Sequence, residues 1–541
     1  MRMHEVMRVR YLIVVICLGM GLSSCSSFLE EYSQDTDYVR TWKDLDELLI
    51  GDCYWPVAAT YNFNMQSNQG MFIHLLADEL EEQNSASSGR SNGMFDDHQR
   101  LFGYLTWQQR VGQNETYSGY FAENEFWTQA YKKINIANNV LYSLDAVPRV
   151  TVAEREGAAK VEGEARFLRA YYYWILVNLY GQPYAPATAS TQPGVPLKTR
   201  PEVEDQKFSR ATVEQVYALI ENDLKAADAA FEQLTSATRH NLYRASHAAV
   251  HLLQSRVYLY MQQWEEAARY AQKVIQEHGQ LQDLRMQSTP MMQKTCVENI
   301  FSMGGDDLPA MMDYTWQSLR VSHDLYAAYA ANDLRRMQWL WRNGSFRGLM
   351  LRENGAQYLT APLPATSSDT YYYYAYTFSL ETRTSPVSSI FWLRSSEAYL
   401  NLAEAEAYLG HEEEARAAVN TLRRARFSDS GSWQINSAGA QLITDVRAER
   451  RRELLLQGQR WFDLRRYRVC AVQPERIALV HNYTYYADRG TTIPLETHQF
   501  VLTEDDPSWT LPIPQEVLNF NTGMEGNGNL WREFTVVPTE E

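Results

Sequence analysis

Three long windows of this chain contain no proline: residues 57–147, 202–289 and 387–473. A proline ring removes a backbone donor and clashes with the preceding turn, so windows free of it are where long helices can run. Apolar residues fill these windows and the segment between the first two at the spacing a buried helix face requires. Trp127, Ala130, Tyr131, Ile134, Ala137, Leu141 and Leu144 recur at three and four. Leu168, Tyr171, Tyr172, Ile175 and Leu179 form a second stripe, and Val213, Val216, Tyr217, Ile220, Leu224 and Ala227 a third. Thr212 with Gln215 supplies a capping box for the third helix. The fold class is mainly α.

Segments 248–275 and 396–423 each read as two helices joined by a short turn. Alanines sit in the second helix of each, where a neighbouring backbone must come close. This is tetratricopeptide-like packing, although turn lengths differ and no strict 34-residue period runs through the chain. The expected architecture is a scaffold of such pairs carrying long irregular insertions. Residues 181–201, with five prolines, form an extended connection. Two regions have another texture: 82–120, rich in Ser, Asn, Gly and Gln, and 300–390, which holds scattered Trp and Tyr. Polar loops studded with aromatics suit recognition on a rigid frame. Tyr104, Trp107, Tyr314, Trp316, Trp341 and Tyr372 are the candidate ligand-binding residues.

The N-terminus reads as a processing signal. Arg2, Arg8 and Arg10 precede an apolar run from Tyr11 to Leu22. At 1.5 Å per residue that run reaches about 18 Å, short of a bilayer core of about 30 Å, and fits a signal-peptide hydrophobic region. Leu22-Ser23-Ser24-Cys25 follows and resembles a bacterial lipobox, making Cys25 the expected lipidation site and 1–24 the leader. Several acyl chains on one cysteine would hold the protein to a membrane stably. Losing the leader removes three Arg and one Glu, so the net charge moves from −16 to −18. That acidity excludes a nucleic-acid binder dependent on clustered cations. Residues 25–541 read as one unit, with an N-terminal helical part over 25–230 and a C-terminal part over 231–541.

Conventional catalytic and metal motifs are missing. The chain has no GxSxG, P-loop, GxGxxG or HExxH. Cys53, Cys296 and Cys470 lie far apart and form no disulfide framework or zinc cluster. His247 and His251 are one helical turn apart, but a metal needs a third ligand that the neighbouring sequence does not supply, so they read as histidines without a metal. Segment 519–529 lacks the spaced acids of a calcium loop. No cofactor is expected. The stretch 445–468 holds eight Arg and four acids, interleaved with Leu454, Leu455, Trp461, Phe462 and Leu464, and reads as a salt-bridged packed helix.

Four ordered segments resemble one family: EARFLRAYYYWILVNLYGQP (164–183), LRSSEAYLNLAEAEAYLG (393–410), ERRRELLLQGQRWFDLRRY (449–467) and LPIPQEVLNFN (511–521). Together, behind a lipobox, they are similar to the SusD/RagB family of outer-membrane nutrient-uptake lipoproteins. The resemblance implies four tetratricopeptide-like pairs. It also implies a SusC-like TonB-dependent β-barrel transporter as partner, a glycan or in some members a peptide as ligand, and no catalysis. A surface glycoside hydrolase is the rival reading, for which Asp78-Glu79 and Asp96-Asp97 are the acids to test. A third reading is a scaffold for protein assembly.

Overall fold

The computed structural model describes residues 39–56, 70–82, 99, 101–119, 123–202, 204, 206–235, 241–286, 291–305, 319–343, 346–349, 387–486 and 494–538. Cys25 and Asp96-Asp97 lie outside them.

Helices α1 (Trp42–Leu48), α2 (Glu125–Ser143), α3 (Val152–Tyr180), α4 (Val213–Phe231), α5 (His247–Tyr260) and α6 (Trp264–His278) occupy the first half. Helices α7 (Ser395–Leu409), α8 (Glu412–Arg424), α9 (Gly439–Glu453) and α10 (Arg460–Arg468) follow in the second. Local chemistry sets the starts. Thr151 and Thr212 each close a capping box, with Glu154 and Gln215 respectively, and Ser246 caps α5. Both pairs expected from sequence form. α5 turns into α6 at Gln262, which is left-handed at φ +60°, and α7 turns into α8 at Gly410, at φ +81°.

Neighbouring helices pack in series from α2 to α8, with α9 laid against α7. α6 and α7 lie side by side although residues 279–394 separate them in sequence. Trp264, at the start of α6, meets the Tyr408 ring near the end of α7 at 5.2 Å. At the opposite end the Tyr399 hydroxyl donates to Gly279 O at 2.9 Å. The two helices are therefore antiparallel, and the intervening segment is an insertion between adjoining scaffold elements.

The run Tyr171-Tyr172-Tyr173-Trp174 is packing throughout: each is no more than 1% exposed. The three tyrosine hydroxyls keep partners inside the core. Tyr172 donates to Cys53 O at 2.5 Å and Tyr173 to Lys198 O at 2.8 Å, while Tyr171 accepts from Arg256 at 3.2 Å. One guanidinium, Arg169, ties three helices together, donating to Asn138 of α2 and to both carboxylate oxygens of Asp223 on α4.

The arginine-rich stretch is two helices, α9 and α10, and both are salt-bridged as expected. Arg335, Arg394 and Arg426 converge on Glu453 at 2.6–2.9 Å. Glu298 joins Arg394 and Arg426 from the other side. Asp333 and Glu449 complete the set on Arg335. All of these side chains are at most 1% exposed. Burial alone would raise the Glu453 carboxyl, but Arg426 and Arg394 outweigh it and hold the group below its ordinary range. α10 is anchored similarly, with Arg466 on Glu404 and Asp463.

Strands are short apart from one meander. β1 (Leu80–Glu82) pairs antiparallel with β3 (Leu319–Val321), β2 (Asn299–Ser302) with β6 (Trp392–Arg394), and β4 (Leu340–Asn343) with β5 (Phe346–Leu349). β7 (Leu479–Tyr486), β8 (Pro494–Leu502) and β9 (Phe534–Val537) form an antiparallel three-stranded sheet in the order β7-β8-β9. One apolar core takes side chains from Leu45 through Ile513. Cys53, Cys296 and Cys470 are free and buried; burial pushes the Cys53 and Cys296 thiols up to about 12, so they behave as inert small hydrophobes. Among the described residues, no helix is long and apolar enough to cross a membrane.

Candidate functional site

Strand pairing gathers the roots of the polar, aromatic-rich segments. β1 ends at Glu82 opposite Leu319, so segment 83–98 departs where segment 306–318 arrives. β2 ends at Ser302 opposite Trp392, with Gly304 and Gly305 both left-handed, at φ +77° and +68°, where the chain turns toward residue 306. Ser302 Oγ accepts from the Ser388 amide at 2.8 Å, which places the end of segment 350–386 beside the start of segment 306–318.

Residues 70–82 connect these two ladders. Gly70 has φ +100°, and a Cβ there would meet the Phe126 ring at 3.1 Å and Ile390 at 3.3 Å, so only glycine fits the approach. His74 is buried with Nε2 3.3 Å from Ser389 Oγ, and burial pushes its imidazole down to about 3, leaving it neutral. Glu82 receives the Thr484 amide at 3.0 Å and hydroxyl at 2.8 Å, fastening β1 to β7. A rigid floor thus carries four segments: 57–69, 83–98, 306–318 and 350–386.

The six predicted residues divide. Tyr314, Trp316 and Tyr372 lie outside the described residues, and Trp341 sits in β4 opposite Gly348. Tyr104 and Trp107 are 4% and 1% exposed, which corrects their placement on an open recognition loop. Tyr104 stacks on Phe72 at 4.4 Å. Trp107 stacks on His481 at 4.3 Å and donates its indole N–H to Leu76 O at 3.0 Å. These rings belong to the floor. Composition merged residues 101–119 with the loop before them, although Phe102 packs edge-on against Tyr483 and Phe500 of the meander. The alternation in LVHNYTYY and PLETHQFVL was the available signal for those strands.

An aromatic pair not anticipated from sequence does face outward. Trp531 is 53% exposed and its ring lies 4.6 Å from that of the partly exposed Tyr117. Tyr117 belongs to a turn organised by Asn114 Oδ1, which accepts from the Thr116, Ser118 and Gly119 amides. The exposed hydroxyls of Thr116 and Ser118 stand beside it, 2.6 Å apart. An apolar ring face bordered by hydroxyl and amide groups is suited to a sugar, whose C–H face packs on the ring while its hydroxyls exchange hydrogen bonds at the rim.

Of the acids considered for hydrolysis, Asp78 and Glu79 are otherwise engaged. Asp78 binds Arg460 through both oxygens at 2.8 and 2.9 Å and Arg451 at 3.0 Å. Glu79 is 1% exposed and accepts the Leu456 amide at 2.8 Å; burial pushes its carboxyl up to about 8. A separate cavity of about 400 Å³ is lined by Arg465, Arg468, Arg476, Asp505 and Trp509 among others. Arg465 there is committed to the backbone oxygens of Asn178 and Gly181 and to Thr510 Oγ1.

A helical series with its insertions rooted on one floor can be compared with known proteins. Residues 267–531 match the model of the SusD family, and residues 57–259 match a model described as starch-binding associating with outer membrane. The chain belongs to the SusD/RagB family. A SusD-like protein P25 from Formosa agariphila is 20% identical over 278 residues, covering 50% of this chain and 47% of that protein. The match therefore spans about half the length of that curated relative. Among solved structures, a SusD superfamily protein from Bacteroides vulgatus superposes with a TM-score of 0.64 at 19% identity, covering 91% of this chain and all of that one. A SusD superfamily protein from Bacteroides thetaiotaomicron gives 0.63 at 20% identity, over 90% and 100% of the two chains. Surface glycan-binding protein A from Bacteroides uniformis gives 0.58 at 18% identity, over 90% and 99%. At these identities the likeness is one of fold, and it bears out the expected mainly α, tetratricopeptide-like scaffold.

Proposed function

We propose that this SusD/RagB member is a lipid-anchored protein of the outer membrane surface, held through Cys25, that binds an oligo- or polysaccharide and passes it to a SusC-like TonB-dependent transporter. The observation carrying this reading is the convergence of the insertion roots on one rigid floor. Segment 306–318, holding Tyr314 and Trp316, starts and ends there, the segment holding Tyr372 ends there, and β7 connects the floor to the meander beside which Tyr117 and Trp531 present a ring pair. Flat rings on a preorganised frame bind a sugar without paying to order themselves. That surface glycan-binding protein A from Bacteroides uniformis shares the fold supports the ligand class.

Affinity electrophoresis and calorimetry against a polysaccharide panel test it. A stacking contact contributes about 0.5–1.5 kcal/mol beyond area burial, so Trp531→Ala and Trp316→Ala should each weaken binding by up to about tenfold. Unchanged glycan binding in both variants would remove the rings from the site, and binding of peptides alone would overturn the ligand class. Co-purification of a large β-barrel after mild detergent extraction checks the transporter partnership.

A further inference from the structure

Sequence alone leaves His247 and His251 one ligand short of a metal site; the fold supplies the third. Asp228 near the C-terminal end of α4 directs Oδ1 at both rings, 2.5 Å from His247 Nε2 and 2.8 Å from His251 Nε2. The two rings lie 4.2 Å apart, side by side on one face of α5 because residues four apart superpose on a helix. Among the described residues, this is the group of His and acidic side chains whose candidate ligand atoms all fall within 4.8 Å of one another.

The arrangement around these atoms favours a cation. Glu277 on α6 places Oε1 3.0 Å from His251 Nδ1. With an ion at Nε2, a carboxylate there holds the remaining ring proton on Nδ1, the way outer carboxylates orient metal-bound histidines. Nε2 and the Asp228 oxygen, 2.8 Å apart, need a positive bridge between them: a second ring proton serves in the ion-free protein, and a metal ion can take its place. The cation already nearby is Lys273, whose Nζ is 3.4 Å from His251 Nε2 and 4.0 Å from Asp228 Oδ2. Its side chain is 35% exposed, so it can withdraw into solvent. His247 is 37% exposed, which leaves the group open to solvent on one side.

We propose that Asp228, His247 and His251 bind a divalent transition ion of the zinc class, with water in the fourth position, and that this ion fastens α4 to α5. Two imidazoles and one carboxylate suit zinc, cobalt, nickel or copper, whereas calcium and magnesium demand oxygen donors. Zinc bonds of about 2.0–2.2 Å in a tetrahedron put ligand atoms roughly 3.3 Å apart. Rotation of the Asp228 carboxylate and the half-exposed His247 ring supplies the opening. This site is independent of glycan binding.

The test is calorimetric titration of the untagged, chelator-stripped full chain with zinc chloride, and with cobalt chloride followed by visible absorption. One equivalent should bind, cobalt should show the ligand-field bands of a tetrahedral site, and zinc should raise the melting temperature. His247→Ala and Asp228→Asn should each weaken zinc at least tenfold while keeping the far-ultraviolet circular dichroism of the parent. Glu277→Gln should cost about 10–100-fold as an orienting group. Absence of a one-equivalent zinc isotherm, or an isotherm unchanged in His247→Ala, would overturn the proposal, the latter by assigning the ion to other groups.

Discussion

Individual charges in this protein differ in worth according to their surroundings. Glu453 faces three guanidiniums and is fully buried with them. Removing one partner from such a set leaves uncompensated buried charge, so Glu453→Gln should destabilise by about 3–5 kcal/mol in urea denaturation. Glu413→Gln, which loses a pair on an 87% exposed side chain, should leave the same denaturation curve in place. Glu79 carries the opposite shift. Its carboxyl is raised to about 8 in the folded protein against 4.5 for an ordinary glutamate, chiefly by burial. The folded state thus holds a proton that the unfolded state has released, and stability falls as pH climbs from about 4.5 through 8. Glu79→Gln mimics the protonated form and should flatten that decline, which thermal melts at pH 5, 6.5 and 8 would show as a smaller loss of melting temperature.

At the level of elements, helices were the readable part. The stripes at Trp127–Leu144 and Val213–Ala227 predicted α2 and α4 because a buried helix face leaves a period that a single sequence displays. Capping was readable for the same reason: Thr212 and Gln215 act locally. Thr212→Ala should cost about 1 kcal/mol and speed hydrogen exchange at the amides of residues 213–216, measurable by mass spectrometry. The short strands were not readable, since β1–β3 and β2–β6 join residues 90 or more positions apart in three-residue ladders that carry no period. Trp107 shows the limit for the site. Its neighbours in sequence are polar, but its environment is set by Leu76 and His481, which no local pattern announces. Asp228 was invisible as a partner of His247 for the same reason: the contact crosses from one helix to the next.

At the scale of the whole molecule, the proposed function assigns support to the helices and recognition to the segments rooted on the floor. The helices bury one another whether or not the segments rooted on the floor keep their composition. Replacing residues 306–318 by a Gly-Ser sequence of equal length should therefore leave the helical circular dichroism melt nearly unchanged and abolish glycan binding, since surface loops tolerate change that scaffolds do not. Cooperative loss of the melt would instead make that segment part of the framework.

The antiparallel contact of α6 with α7 also sets a clock. At about 5–20 residues per second, a ribosome needs on the order of 10 s to cross the stretch between them. Until α7 is made, the α6 surface that carries Trp264 has no mate, so this contact waits on the second half of the chain. The scaffold is thus completed from two sides: α2 to α6 can pack as they emerge, and the seam that joins them to α7 closes only once residue 409 has been made.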